Sequence, residues 1–355
     1  MADRAPLSPA LPGRFGRYTP LGESCSDIAG ASTPITITAS WRPPAEILVH
    51  APLARAMLAE KPHRPLARLR RKVARTLFHV VHQRIGLPAP ADLRFANGKV
   101  ATVDCANTAF LDYAARNQGA DGVEPEVSGL LIGLAARLRV VYDVGANWGY
   151  YPLLLGAERR FRGVIHAFEI SPRTATDLRH VIAAAGLGER VAVHGFGLSD
   201  HAGEVRLSRE KHSYLARIVG EGYQGAVDRV GVRRLDGLGL PPPDLIKIDV
   251  EGHELAVLRG AAGILERDQP LVVMESWHEP ARTEAMLAPL RLLAGLGYRW
   301  HRLHWYPQPE GGVAPAVRQG SIVLAPLRVS ERPAIHATLN LLAVPADRAA
   351  EIGIK

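Results

Sequence analysis

The stretch Val140-Val-Tyr-Asp-Val-Gly-Ala-Asn-Trp-Gly-Tyr-Tyr151 constrains this chain more than any other. Val140, Val141, Tyr142 and Val144 are β-formers without a helical period, which predicts a short buried strand. Gly145 and Gly149 end that strand, and Tyr150 to Glu158 reads as a helix. Strand, glycine turn and helix start together make a cradle. Glycine lets the backbone approach a ligand closely, and the first turn of a helix offers unpaired N–H groups to negative charge. A dinucleotide site needs Gly-x-Gly-x-x-Gly to receive a pyrophosphate. This chain has Asp143-x-Gly145-x-x-x-Gly149, with an acid entering the turn and two glycines, which suits a ligand lacking a pyrophosphate.

Strand and helix signals alternate from there on. Expected strands are Val140–Gly145, Gly163–Glu169, Val191–Leu198, Asp244–Asp249 and Pro270–Glu275. Helices are expected near 172–185, 253–266 and 279–296, with a small hairpin arm at 203–207. Near-continuous Val/Ile/Leu strands between helices predict an α/β, Rossmann-like fold, its sheet mostly parallel and covered on both faces. Tyr298–Trp305 and Leu339–Val344 would close the sheet as an antiparallel pair, for seven strands in all, with 307–337 as a long loop or lid. The expected division is an extension over 1–90, a lead-in over 91–139, the main domain over 140–345 and a tail over 346–355.

In an open parallel sheet, ligands bind beyond the C-terminal strand ends. Here each of the five strands delivers acids to that edge. The first brings Asp143, Gly145, Asn147 and Gly149. The second brings Glu169, 26 positions after Asp143, where a ribose diol would be gripped. The third brings Ser199 and Asp200, placed to bracket an adenine, and the fourth Lys247, Asp249, Glu251 and His253. The fifth brings Glu275 and His278. Some acids at such positions serve only as helix caps, Glu254 and Glu279 foremost. S-adenosylmethionine is the ligand that this acidic, pyrophosphate-free cradle suits. A nicotinamide-dependent oxidoreductase is the competing enzyme reading, and the missing third glycine argues against it.

Four of these stretches, Val141–Tyr151, Ala167-Phe-Glu169, Gly197-Leu-Ser-Asp-His-Ala-Gly203 and Ile246-Lys-Ile-Asp-Val-Glu-Gly-His-Glu254, resemble the FkbM family of S-adenosylmethionine-dependent methyltransferases. The resemblance runs from about residue 124 to 305, and the tail Leu339–Pro345 shares it. Where the family reads Phe-Glu-Pro-x-Pro, this chain has Phe168-Glu-Ile-Ser-Pro172, which keeps the acid. The resemblance implies methyl transfer to a hydroxyl of a sugar, glycan or polyketide-type molecule. An aliphatic hydroxyl needs help in losing its proton. The implied machinery is the Asp249/Glu251 pair with Lys247, and His278 is a second candidate base. Asp143, Gly145, Asn147, Gly149, Glu169, Ser199 and Asp200 are assigned to the cofactor. No metal ligand set is assigned. A cofactor-binding protein that has lost catalysis would carry the same cradle.

Composition bounds the rest. Of 43 Lys/Arg, 13 lie in residues 1–90 against 5 Asp/Glu, a local net of +8 that accounts for the whole formal charge. The catalytic part is therefore neutral, which argues against a nucleic-acid partner. Two distant cysteines exclude a disulfide scaffold. The start lacks the layout of a secretory signal and no apolar run would span a bilayer, so the expectation is a cytoplasmic protein. Six lysines among the basic residues, with abundant Ala and Pro, suggest a bacterial genome rich in GC. Over 66–87, Leu66, Leu69, Val73, Leu77, Val80 and Val81 recur at helical spacing among Arg68, Arg70, Arg71, Lys72 and Arg75. Either this helix docks its apolar stripe on the main domain, or it meets an anionic membrane or a protein partner. Trp148, Tyr150, Trp277, His278 and Trp305 would either shape an acceptor pocket or belong to the core.

Overall fold

Alternation of side chains along each strand decides the two faces of the central sheet. Val141, Leu245 and Val273 join one buried cluster, while their neighbours Tyr142, Ile246 and Val272 join the other. The computed structural model describes residues 35–58, 65–117, 122–210, 215–308 and 317–348. The chain begins with β1 (Ile35–Trp41), β2 (Ala45–Val49), α1 (Pro52–Leu58) and α2 (Pro65–Phe78), the last continued by a π-helical turn over His79–Arg84. Next come β3 (Pro90–Phe95), β4 (Val100–Asp104), α3 (Ala109–Asn117) and α4 (Pro125–Leu134). The alternating part has β5 (Val140–Val144), α5 (Tyr150–Ala157), β6 (Val164–Phe168), α6 (Pro172–Ala185) and β7 (Val191–His194). An inserted arm follows, made of β8 (Gly197–Leu198), β9 (Gly203–Ser208), β10 (Ile218–Val219) and β11 (Val227–Arg233). The chain then returns through β12 (Leu245–Ile248), α7 (Glu254–Gly260), α8 (Ala262–Arg267), β13 (Leu271–Ser276) and α9 (Thr283–Gly295). It closes with β14 (Tyr298–Pro307), β15 (Arg318–Leu327) and β16 (Leu339–Pro345).

The sheet order is β1-β15-β14-β16-β13-β12-β5-β6-β7. From β13 to β7 every pairing is parallel, and from β13 to β1 every pairing is antiparallel. Strand order runs outward from β5 to β7, then restarts at β12 on the other side of β5. That reversal opens a crevice between β5 and β12, where open α/β sheets bind ligands.

Several expectations change. The sheet has nine strands and is mixed, not seven and mostly parallel. The expected loop over 307–337 contains β15, and β1 from the supposed extension pairs with it, Ile35 opposite Leu324 and Trp41 opposite Arg318. The Pro and Gly content around β15 obscures its apolar alternation, and nothing local in β1 names its partner strand. The described residues from Ile35 onward fall in one compact unit. The expected third strand splits, β7 staying in the main sheet while β8 pairs in parallel with β11 in the arm. Hydrophobic alternation continues through both and cannot register a change of partner. The expected helix over 253–266 breaks at Ala261 into α7 and α8. Residues 1–34 of the expected extension and 349–355 of the expected tail lie outside the described residues.

Trp148, Tyr150 and Trp305 belong to the core. Trp148 packs against Phe110 and Tyr113, and Trp305 meets Trp41 edge-on at 5.0 Å. Among the described residues no helix is long and apolar enough to cross a membrane.

Candidate active site

Two strand-end turns meet in the crevice. Gly145, at φ +84°, lies so close to the turn after β12 that a Cβ there would stand 1.8 Å from the carbonyl oxygen of Asp249. Both the conformation and the space exclude any side chain. Gly149, at φ +101°, instead opens α5, and a Cβ there would strike Leu178 at 2.5 Å. Its role is therefore helix packing, not a wall of the cleft.

The cleft encloses about 770 Å³, including space open to solvent at its mouth. Gly145, Asn147, Glu169, Asp249, Glu251 and His253 all line it. Glu169 is 8% exposed, and its two carboxylate oxygens accept from the backbone N–H of Asn147 at 2.9 Å and of Ser171 at 2.8 Å. Asn147 adopts φ +50°, which turns its N–H toward that acid. Burial pushes the Glu169 carboxyl up to about 7 against the pull of those two donors. A carboxylate so held keeps lone pairs for a vicinal diol. The arm supplies the facing wall through Leu207, Ala216 and Ile218.

Asp143 and Lys247 lie one layer beneath. Parallel register sets them side by side on β5 and β12, on the face shared with Val141 and Leu245. The Lys247 ammonium is 3.7 Å from Asp143 Oδ1, 3.1 Å from Asp249 Oδ2 and 4.7 Å from the centre of the Tyr151 ring. Burial opposes its charge, but Asp249, Asp143 and Glu124 outweigh that and hold the amine above its ordinary range. Burial likewise lifts Asp143 to about 6, with Lys247 pulling the other way. Neither Asp143 oxygen has a hydrogen-bond partner, so Lys247 supplies its compensation.

Glu251 reaches the cleft from a left-handed turn at φ +53°, not by simple alternation after Asp249. One carboxylate oxygen from each of Asp249, Glu251 and Glu275 lies within 4.8 Å of the others. Such a set could take a divalent cation. Burial, then Asp249, Glu124 and Glu251, push the Glu275 carboxyl well above the usual carboxylate range. Asp249 keeps Lys247 as counter-charge.

The remaining candidates sit elsewhere. Ser199 and Asp200 do not line the cleft, whose wall at this strand end is Gly197 and Leu198. Ser199 Oγ instead meets His253 Nε2 at 3.0 Å, and Asp200 Oδ1 meets His201 Nδ1 at 2.8 Å. His278 lies tilted against His336, ring centres 4.7 Å apart, in the segment before β16 and lines no part of the cleft. Of the expected caps, Glu254 accepts from Gly252 N–H at 3.0 Å, whereas Glu279 makes no capping bond and pairs with Arg282. One contributor escaped sequence reading. Glu124, at φ +37° before α4, accepts from the Tyr151 hydroxyl and adds negative charge to the layer around Lys247. Only the fold brings it there.

The cleft thus lies at the switch point of an α/β sheet, where open sheets of this kind bind their ligands. The family model described as the methyltransferase FkbM domain matches residues 143–300. The hexuronic acid methyltransferase AglP of Haloferax volcanii is 29% identical over 147 residues, which cover 40% of this chain. The match spans 58% of that relative's length. Among solved structures, the methyltransferase FkbM from Methylobacillus flagellatus matches at 16% identity and a TM-score of 0.35, over 74% of this chain and 71% of that one. The O-methyltransferase from Bacillus cereus in complex with SAH matches at 16% and 0.35, over 63% and 91%. At such TM-scores these structural likenesses carry no weight for the chemistry.

Proposed function

We propose that this protein transfers the methyl group of S-adenosylmethionine to a hydroxyl oxygen of a sugar, glycan or polyketide-type acceptor. The observation that carries the reading is the convergence of Gly145, Glu169 and Asp249 on one cleft at the switch point. The matched methyltransferase domain and the hexuronic acid methyltransferase among its relatives support it. The residues fit the cofactor. Glu169 would hold the ribose diol, Gly145 clears backbone for close approach, and the carboxylates around the cleft favour a positive sulfur. When bound, S-adenosylmethionine supplies an electrophilic methyl group.

The chain's own residues then orient the acceptor and take its proton. Asp249 is the base in this reading: it lines the cleft, and Lys247 fixes its carboxylate at 3.1 Å. A hydroxyl within hydrogen-bond reach of Asp249 would give its proton to that carboxylate as its oxygen takes the methyl group and the sulfur–methyl bond breaks, the neutral thioether S-adenosylhomocysteine being the leaving group. Lys247 stays charged throughout and, held by Asp143 and Tyr151, acts as a positioning residue. Glu251 borders the same space and would accept from a second acceptor hydroxyl.

Two results are expected. Glu169→Gln should weaken S-adenosylmethionine binding about 10- to 100-fold, the worth of hydrogen bonds to a charged acceptor. In the natural protein the affinity should rise as pH climbs through about 7, because ionised Glu169 is the better acceptor; Glu169→Gln should flatten that rise. Titration calorimetry between pH 6 and 8 checks both, and a pH-independent affinity in the natural protein would remove Glu169 from the ribose. Turnover is expected to persist in EDTA, since Lys247 already balances Asp249. Loss of activity on chelation, restored by a divalent ion, would assign the three-carboxylate set to a metal instead. Incubating the enzyme with hexuronates, neutral glycans and polyketide alcohols, and following the mass gain of one methylene, tests the acceptor class.

A further inference from the structure

Helix α2 faces the wrong way for a helix whose purpose is core packing. Its strongest apolar stripe, Leu69, Val73 and Leu77, is 57%, 48% and 46% exposed, and Val80 of the π-helical turn extends it at 38%. The helix is instead held through Ala74 and Phe78, about 100° further round, and packs beside α1. The stripe continues past the π-helical turn in Ile85 and Leu87, 65% and 53% exposed. Six of the nine exposed large hydrophobic side chains among the described residues fall between Leu69 and Leu87. Scattered surface leucines need no explanation, but a concentration along one helix does.

Charge identifies the occupant. Residues 65–84 contain no acid, and Arg68, Arg70, Arg71, Lys72, Arg75 and Arg84 are all exposed. On the helical wheel Lys72 and Arg70 border the stripe on its two sides. An apolar strip edged by cations is the profile of a helix lying in a membrane interface, with aliphatic side chains among the acyl chains and basic ones at the headgroups. A second copy of this chain fits poorly, because a two-fold contact would set two cationic borders against each other. Nucleic acid would leave the aliphatic stripe uncovered and finds no aromatic ring on it for stacking. The segment 1–34 holds three basic and three acidic residues, so it offers no net counter-charge.

We propose that α2 docks this protein on an anionic lipid bilayer, with the Leu69–Val80 stripe inserted and its basic borders on lipid phosphates. The docking is peripheral and independent of the methyl-transfer chemistry.

The test is flotation of the full chain with vesicles of phosphatidylcholine alone or mixed with phosphatidylglycerol. Recovery with the mixed vesicles should exceed that with neutral ones by about tenfold or more and fall at high salt. The triple variant Leu69→Glu, Val73→Glu, Leu77→Glu should lose binding while keeping its thermal midpoint and its S-adenosylmethionine affinity, since these side chains are exposed. Arg70→Gln with Lys72→Gln should bind the mixed vesicles several-fold more weakly. Failure of the natural chain to float with anionic vesicles would overturn the proposal, as would flotation unaffected by the triple variant. A concentration-dependent dimer that the triple variant dissolves, without vesicle binding, would assign the stripe to a second copy.

Discussion

Asp249→Asn should lower turnover by about 10²- to 10⁴-fold, the usual contribution of a positioned general base. Affinity for S-adenosylmethionine should change far less. The two effects separate because Asp249 meets its surroundings twice. Its backbone carbonyl closes against Gly145 and shapes the cofactor turn, and an asparagine keeps that contact. Its carboxylate faces the cleft with Lys247 3.1 Å behind, and that is what the substitution removes. Asparagine preserves shape and hydrogen bonding toward Lys247 but cannot take a proton. Steady-state turnover together with cofactor titration checks the split. Equal losses in turnover and affinity would reduce Asp249 to a structural residue and leave Glu251 as the carboxylate to examine.

Lys247→Met should destabilise the protein by about 3–5 kcal/mol, the range for breaking a buried ion pair from one side. The ammonium is 5% exposed and stands between Asp143 and Asp249, with Glu124 adding to the negative charge around it. Without it, Asp143 would remain 2% exposed with no hydrogen-bond partner and no counter-charge. Asp143 would then have to take up a proton to stay inside. The double variant Lys247→Met, Asp143→Leu should recover much of the loss, because removing both charges removes the desolvation cost along with the attraction. Urea unfolding of the three proteins measures this. An unchanged midpoint for Lys247→Met alone would mean that water or relaxation already screens the pair.

The acidic layer explains why the two substitutions differ in kind. Carboxylates at a sheet edge are ordinarily solvated, yet here burial raises Asp143 and Glu169 to about 6 and 7 and pushes Glu275 up as well. Asp143, beneath the cleft, is balanced by Lys247, while Glu169, Asp249 and Glu251 line the cleft where a ligand can reach them. The fold thus divides similar side chains between support and chemistry. Sequence spacing could not make that division, since Asp143 and Asp249 each stand at the end of a β-strand in the same kind of apolar run.

What the sequence by itself determined was local: the strand–glycine–helix unit at 140–151, the helix over 172–185, the arm near 203–207, and acids at successive strand ends. These follow from side-chain period and backbone sterics, which act over a few residues. Tertiary structure alone decided the rest. It recruited β1 and β15 into the sheet, turned Ser199, Asp200 and His278 away from the cleft, brought Glu124 to Lys247, and exposed the stripe of α2. Each of those outcomes depends on which distant surface a segment meets, and neither period nor propensity encodes the identity of the partner.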